Sequence, residues 1–102
     1  MQLDFANLQL ERVEQLTQNG AKLLDKVYPG WYSEVDLNKF SEISGTDGVL
    51  AQLFGSAQAG IQQLNLTAEE CQFYGLQVGA DLEHLPKQWR IAWSKRVIER
   101  SL

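Results

Sequence analysis

Between Gly48 and Ala68 the chain carries no charged residue. Within that stretch Val49, Leu50, Leu53, Phe54, Ala57, Gly60, Ile61 and Leu64 recur at helical spacing, which predicts a helix over 48–64 with an unbroken apolar stripe. An exposed helix normally fills its other face with Lys and Glu; here Gln52, Ser56, Gln58, Gln62 and Gln63 stand instead. The amides argue against insertion into a bilayer, where each polar group needs a partner. A helix so free of charge is expected at the centre of the fold, covered on more than one side by its own chain, by a second subunit or by another protein. Gly55 and Ala59 lie four apart, as do Ser56 and Gly60, so small residues stack one turn above another and admit a close backbone. Intramolecular packing uses small residues in the same way and is the commoner reason for them. The candidate interface is Gln52, Gly55, Ser56, Gln58, Ala59, Gln62 and Gln63, poor in charge and rich in amides as the buried centre of a protein contact is.

The flanking sequence is also helical in pattern. Leu10, Val13, Leu16, Gly20, Leu23, Leu24 and Val27 predict a helix over 8–27, with Asn7 as its cap and Pro29-Gly30 as its stop. Gly20 falls on the apolar stripe and is read as a point of close helix approach. Trp31 and Tyr32 are expected to fold back as a plug over the helix end. For residues 35–40 a short strand and a single helical turn both fit. Thr46 or Asp47 is placed to cap the helix that follows, and Thr67 with Glu70 has the capping-box form that opens a short helix to about Tyr74. Residues 75–80 read as a loop. Pro86 suits the first position of a last helix, with Leu85, Trp89, Ala92, Trp93 and Val97 facing inward. The expected fold is mainly α: a compact single domain, 1–102, of three longer helices and one or two short ones.

A chain of 102 residues with 44% apolar residues can fill one core, and 22% charged residues is ordinary for a globular protein. No run of 18 apolar residues exists, so no membrane span is expected. Residues 1–5 lack a basic leader and an apolar run, and the single cysteine, Cys71, cannot form an internal disulfide; both point to the cytoplasm. Charge is unevenly spread. Residues 1–86 hold 12 acids against Arg12, Lys22, Lys26 and Lys39, whereas 87–102 hold Lys87, Arg90, Lys95, Arg96 and Arg100 against Glu99. This basic patch is the alternative functional signal, a helix that binds nucleic acid. The acidic body would repel phosphate, so packing of the basic tail against that body is favoured and nucleic acid is disfavoured as a partner.

The residues that carry chemistry are few. One His and one Cys cannot make a structural zinc site. Glu11 with Glu14, and Glu69 with Glu70, are what a solvated face and a helix first turn carry. His84, beside Glu83 and ahead of Pro86, has no nucleophile motif to serve. Cys71, next to Phe73 and Tyr74, reads as core. Gly45-Thr46-Asp47-Gly48 opens a helix, but Asp47 would repel an anion and no lysine follows, so it is not a nucleotide loop. Trp31, Tyr32, Trp89 and Trp93 are read as core before a base-stacking platform or a small-molecule site. No catalytic residue, cofactor or metal is expected.

Gly20-Ala21-Lys22-Leu23-Leu24-Asp25, Pro29-Gly30-Trp31, Val35-Asp36-Leu37, Val49-Leu50-Ala51-Gln52-Leu53-Phe54-Gly55, Tyr74-Gly75-Leu76, and Leu85 with Trp89-Arg90 form an ordered series over residues 20–98. It resembles a group of small uncharacterised proteins of bacteria and their phages, with the string ending at Gly55 its most specific part. The resemblance implies a single small domain, often carried by mobile elements, and no activity. The group's cysteines before the Val-Leu pair are replaced here, Gly48 standing next to Val49, so no metal or redox role carries over. Arg90, which matches, is expected to pair with the acidic body. The function expected on all these grounds is a non-enzymatic protein-interaction module, a phage-type or host accessory factor.

Overall fold

Helix α1, Phe5–Val27, presents Val13, Thr17, Gly20, Ala21 and Leu24 to the interior. The computed structural model describes residues 5–39, 48–78, 82 and 85–102. The inward face of α1 is rotated from the expected stripe: Leu10 and Val27 are exposed and Thr17 is fully buried. Thr17 can be buried because its hydroxyl donates to the Glu14 carbonyl oxygen, 3.0 Å away, one turn back. Asn7 lies inside the helix, not at its cap, since the helical pattern runs one turn further back to Phe5.

Pro29-Gly30 ends α1 as expected. Gly30 takes a left-handed conformation, and a 3₁₀ turn over Trp31–Glu34 swings Trp31 back under the helix end, where it is completely buried. Val35 is extended and Leu37–Lys39 form a second 3₁₀ turn, which resolves the 35–40 segment in favour of a helical turn up to Lys39; Phe40 and the Thr46 and Asp47 caps lie outside the described residues.

The predicted single helix over 48–64 is two helices, α2 (Val49–Phe54) and α3 (Ala57–Leu64). Gly55 breaks it with φ +91°, a conformation that a side chain would strain, and Ser56 is extended. The Ser56 side chain then caps α3, accepting from the Ala59 N–H at 3.0 Å. The break lets α3 fold back on α2: Gly60 is buried, and a Cβ there would lie 2.9 Å from the Phe54 ring and 3.1 Å from Leu50 Cβ.

Asn65 closes α3 in a left-handed conformation, with the Leu66 N–H donating to the Ile61 carbonyl oxygen. Helix α4, Ala68–Phe73, opens on the expected capping box, with Thr67 and Glu70 exchanging backbone-to-side-chain bonds of 3.0 and 3.1 Å. Helix α5, Pro86–Ser101, begins at its proline and buries Trp89, Ala92, Trp93, Arg96 and Val97 against α1 and the Trp31 turn.

Trp93 knots these elements together. Its indole Nε1 donates to the Gly75 carbonyl oxygen at 3.0 Å, and its ring meets Trp31 edge to face at 6.0 Å. Its far edge lies over Gly20, where a Cβ would sit 2.7 Å from Trp93 Cη2 and collide with the Tyr74 carbonyl oxygen. Close approach at Gly20 is thus what the stripe position requires. The architecture is mainly helical and compact, with no strand among the described residues. Its radius of gyration, 13.1 Å, matches the ~13 Å of a compact chain this long.

Candidate functional site

The surface of the α2–α3 hairpin follows from its composition. Its apolar residues turn inward: Val49, Leu50 and Ala51 are buried, while Leu53, Phe54, Ile61 and Leu64 pack at the edge of the core. What remains outward is amide and small side chains. Gly55, Ser56, Gln58, Gln62 and Gln63 are exposed and Ala59 is half-buried. The chain itself therefore covers one side of this segment, not most of its circumference, because the hairpin lies at the edge of the bundle. Two small residues have structural duties there: Gly55 makes the break and Ser56 the cap. With α2 and α3 separate, Gly55 and Ser56 do not continue a turn-by-turn stack into Ala59 and Gly60.

Gln52 leaves the candidate interface. Its Oε1 accepts the Asp36 N–H at 2.6 Å and its Nε2 donates to the Asp36 carbonyl oxygen at 3.2 Å. One side-chain amide thereby imitates a strand neighbour and ties the 35–39 segment to α2.

The basic patch separates in the same way. Lys95 Nζ lies 2.8 Å from Glu14 Oε1, Arg96 Nη2 is 3.1 Å from Glu14 Oε2, and Arg100 grips Asp25 with Nε and Nη2 at 2.9 and 2.8 Å. Arg96 is 3% exposed, so it is no surface cation at all. Its Nε is 3.1 Å from Glu99 Oε1, an ion-pair distance, and two carboxylates thus enclose a guanidinium whose Nε and Nη1 make no hydrogen bond among the described residues. Lys87 and Arg90 are exposed, and the ion pairs among the described residues do not include them, so the pairing expected for Arg90 is not seen there.

Asp25 serves two partners. Besides Arg100 it accepts the Trp31 indole N–H at 3.0 Å. The Arg100 guanidinium, then the Trp31 bond, hold its carboxyl below the usual carboxylate range against the opposing cost of partial burial. The same guanidinium lies over the Trp31 ring, 5.9 Å from its centroid.

Residues suited to catalysis do not converge among those described. Cys71 is fully buried, and burial followed by the adjacent Glu70 pushes its thiol up, away from a nucleophilic thiolate. Glu14 is engaged with Lys95 and Arg96, and Glu70 with its cap. No group of three metal-ligating side chains forms among the described residues, of which His84 is not one. Trp31 and Trp89 are 0% and 1% exposed, with the Trp89 indole donating to the Leu82 carbonyl oxygen. They are core, and neither lines a surface depression described below.

Two open depressions flank the last turns of α1. One, of about 630 Å³, is lined by Val27, Tyr28, Leu53, Phe54, Gln63 and Leu64, and joins α1 to the hairpin. Tyr28 and Phe54 meet edge to face across it, 5.5 Å between ring centres. The other, of about 200 Å³, is lined by Asn19, Lys22, Leu23, Lys26, Phe73 and Tyr74, with the Asn19 amide donating to the Phe73 carbonyl oxygen. Neither depression is legible in the sequence, where Val27 falls on the apolar stripe of α1 and Phe73 stands near Cys71. A third, of about 330 Å³, runs along Asn7, Leu10, Glu11, Glu14, Gln15 and Gln18. No helix among the described residues is long and apolar enough to cross a membrane. Comparison with family models, with curated proteins and with solved structures finds no match to this chain.

Proposed function

We propose that this chain is a non-enzymatic protein-interaction module, a cytoplasmic phage-type or host accessory factor that modulates another protein. The observation that carries this reading is the outward face of the α2–α3 hairpin, where Gln58, Gln62 and Gln63 are exposed without a charge between Gly48 and Ala68. Such a face loses little on desolvation, because no ionic group has to leave water, and amides supply directional bonds at the rim. The 630 Å³ depression beside Gln63 and Leu64 adds apolar area to it. The nucleic-acid alternative loses support from the pairing of Lys95, Arg96 and Arg100 with the chain's own acids. The partner is another protein, or a second copy of the chain.

Affinity capture from the native host tests the reading, with Gln58→Glu combined with Gln62→Lys as the control bait. A protein retained by the wild type and lost by the double variant is the expected result; light scattering distinguishes a homodimer. A wild-type monomer that captures nothing the variant does not would overturn it.

A further inference from the structure

We infer that the two depressions beside the end of α1 form one docking strip for an acidic, amphipathic segment of a partner protein; this rests on the module reading and specifies its partner. Leu23 lines one depression and Val27 the other. They lie four apart on one helix, hence on one face with a rise of about 6 Å between them. The strip therefore runs from Phe73, 56% exposed, across Leu23 and Val27, 47% exposed, to Leu64. Large apolar side chains this exposed are informative when contiguous, and here four helices contribute to one surface.

The charge at its rim names the partner's chemistry. Lys22 and Lys26 are two of the four bases in residues 1–86, and both line the smaller depression. They are exposed, one turn apart, and the ion pairs among the described residues do not use them. The nearby Asp25 is turned to Arg100 and Trp31. At physiological salt the screening length is about 8 Å, so the two lysines, more than the net charge of −4, set the field at the smaller depression, while Glu34, hydrogen-bonded to Tyr28, stands at the larger one. An incoming segment with apolar anchors about one helical turn apart fills both depressions while its carboxylates face Lys22 and Lys26.

A library of short random peptides selected against the full-length protein tests this. Selected peptides, resynthesised and titrated against isotope-labelled protein, are expected to combine Asp or Glu with at least two large apolar residues. They should shift the amide signals of Leu23, Lys26, Val27 and Phe73, and bind more weakly as salt rises. Lys22→Glu with Lys26→Glu should weaken binding about tenfold or more, and Phe73→Ser comparably. All three side chains are exposed, so circular dichroism should show the fold retained in both variants. Peptides without acid enrichment, signals that move elsewhere, or a Kd unchanged by lysine reversal would overturn the proposal, as would a dimer disrupted by Phe73→Ser. A host protein held through Gln58 and Gln62 whose binding ignores Lys22, Lys26 and Phe73 sinks the strip while leaving the module reading intact.

Discussion

Where α5 meets α1, charge is consumed inside the molecule; where the α2–α3 hairpin meets the rest, there is none to consume. Lys95, Arg96 and Arg100 each reach an acid of α1, and the contact closes around Trp31 and Trp93, with no room for a Cβ at Gly20. The hairpin is joined by apolar edges, the Tyr28–Phe54 ring contact and one amide, that of Gln52. Cations that neutralise the chain's own carboxylates cannot also bind phosphate cheaply, whereas the outward amides of Gln58, Gln62 and Gln63 leave a face on which few groups need to be desolvated.

The sharpest way to break that comparison is a methyl group on each side of it. Gly20→Ala should destabilise by about 2–3 kcal/mol, since the added carbon meets the Tyr74 carbonyl oxygen and the Trp93 ring, which outweighs the ~1 kcal/mol of helix propensity gained. Gly60→Ala meets side chains and no backbone atom among its nearest neighbours, the Phe54 ring and Leu50, and the ring can turn aside, so stability should change by less than about 1 kcal/mol. Urea denaturation reads both. Equal losses would mean that the hairpin is packed as rigidly as the tryptophan knot.

Next in size is Asp25. Asp25→Ala strips the buried Trp31 indole of its acceptor and should cost about 2 kcal/mol, whereas Asp25→Asn keeps an acceptor and loses only a partly exposed ion pair, below about 1 kcal/mol. The pair also sets an acid response. Because Arg100 depresses the folded-state ionisation of Asp25, the stability it adds is present above the unfolded value of about 3.9 and is lost as pH falls through the lower folded value. Denaturation midpoints from pH 6 downward should fall below about pH 4 in the wild type and fall less in Asp25→Asn. A response unchanged by the substitution would assign the acid sensitivity to other carboxylates.

Gln52→Ala follows, at about 1 kcal/mol, because two hydrogen bonds to Asp36 are lost at groups that water can reach. Smallest is Gln58→Ala with Gln62→Ala, expected within about 0.5 kcal/mol of wild type in thermal melts. A larger loss would show those amides holding the fold together, and the contrast between the two regions would fail.

Local signals read true at a proline or a two-residue box, though not at the single cap expected of Asn7, which the helix overruns. The Thr67–Glu70 box, the Pro29-Gly30 stop and the Pro86 start need only a few neighbouring residues to satisfy backbone groups, and each appears where its residues predict it. Tertiary packing decided what no single segment contains. A helix through Gly55 is locally disfavoured by only ~1 kcal/mol, so its residues alone leave the break open; the gain from folding α3 onto α2 at Gly60 selects it. Whether Arg96 is a surface cation or a buried partner of Glu14 and Glu99 depends on which acids another helix brings across. The docking strip assembles side chains of α1, α2, α3 and α4, and apolar residues that belong to no single periodicity become one surface only when those helices meet.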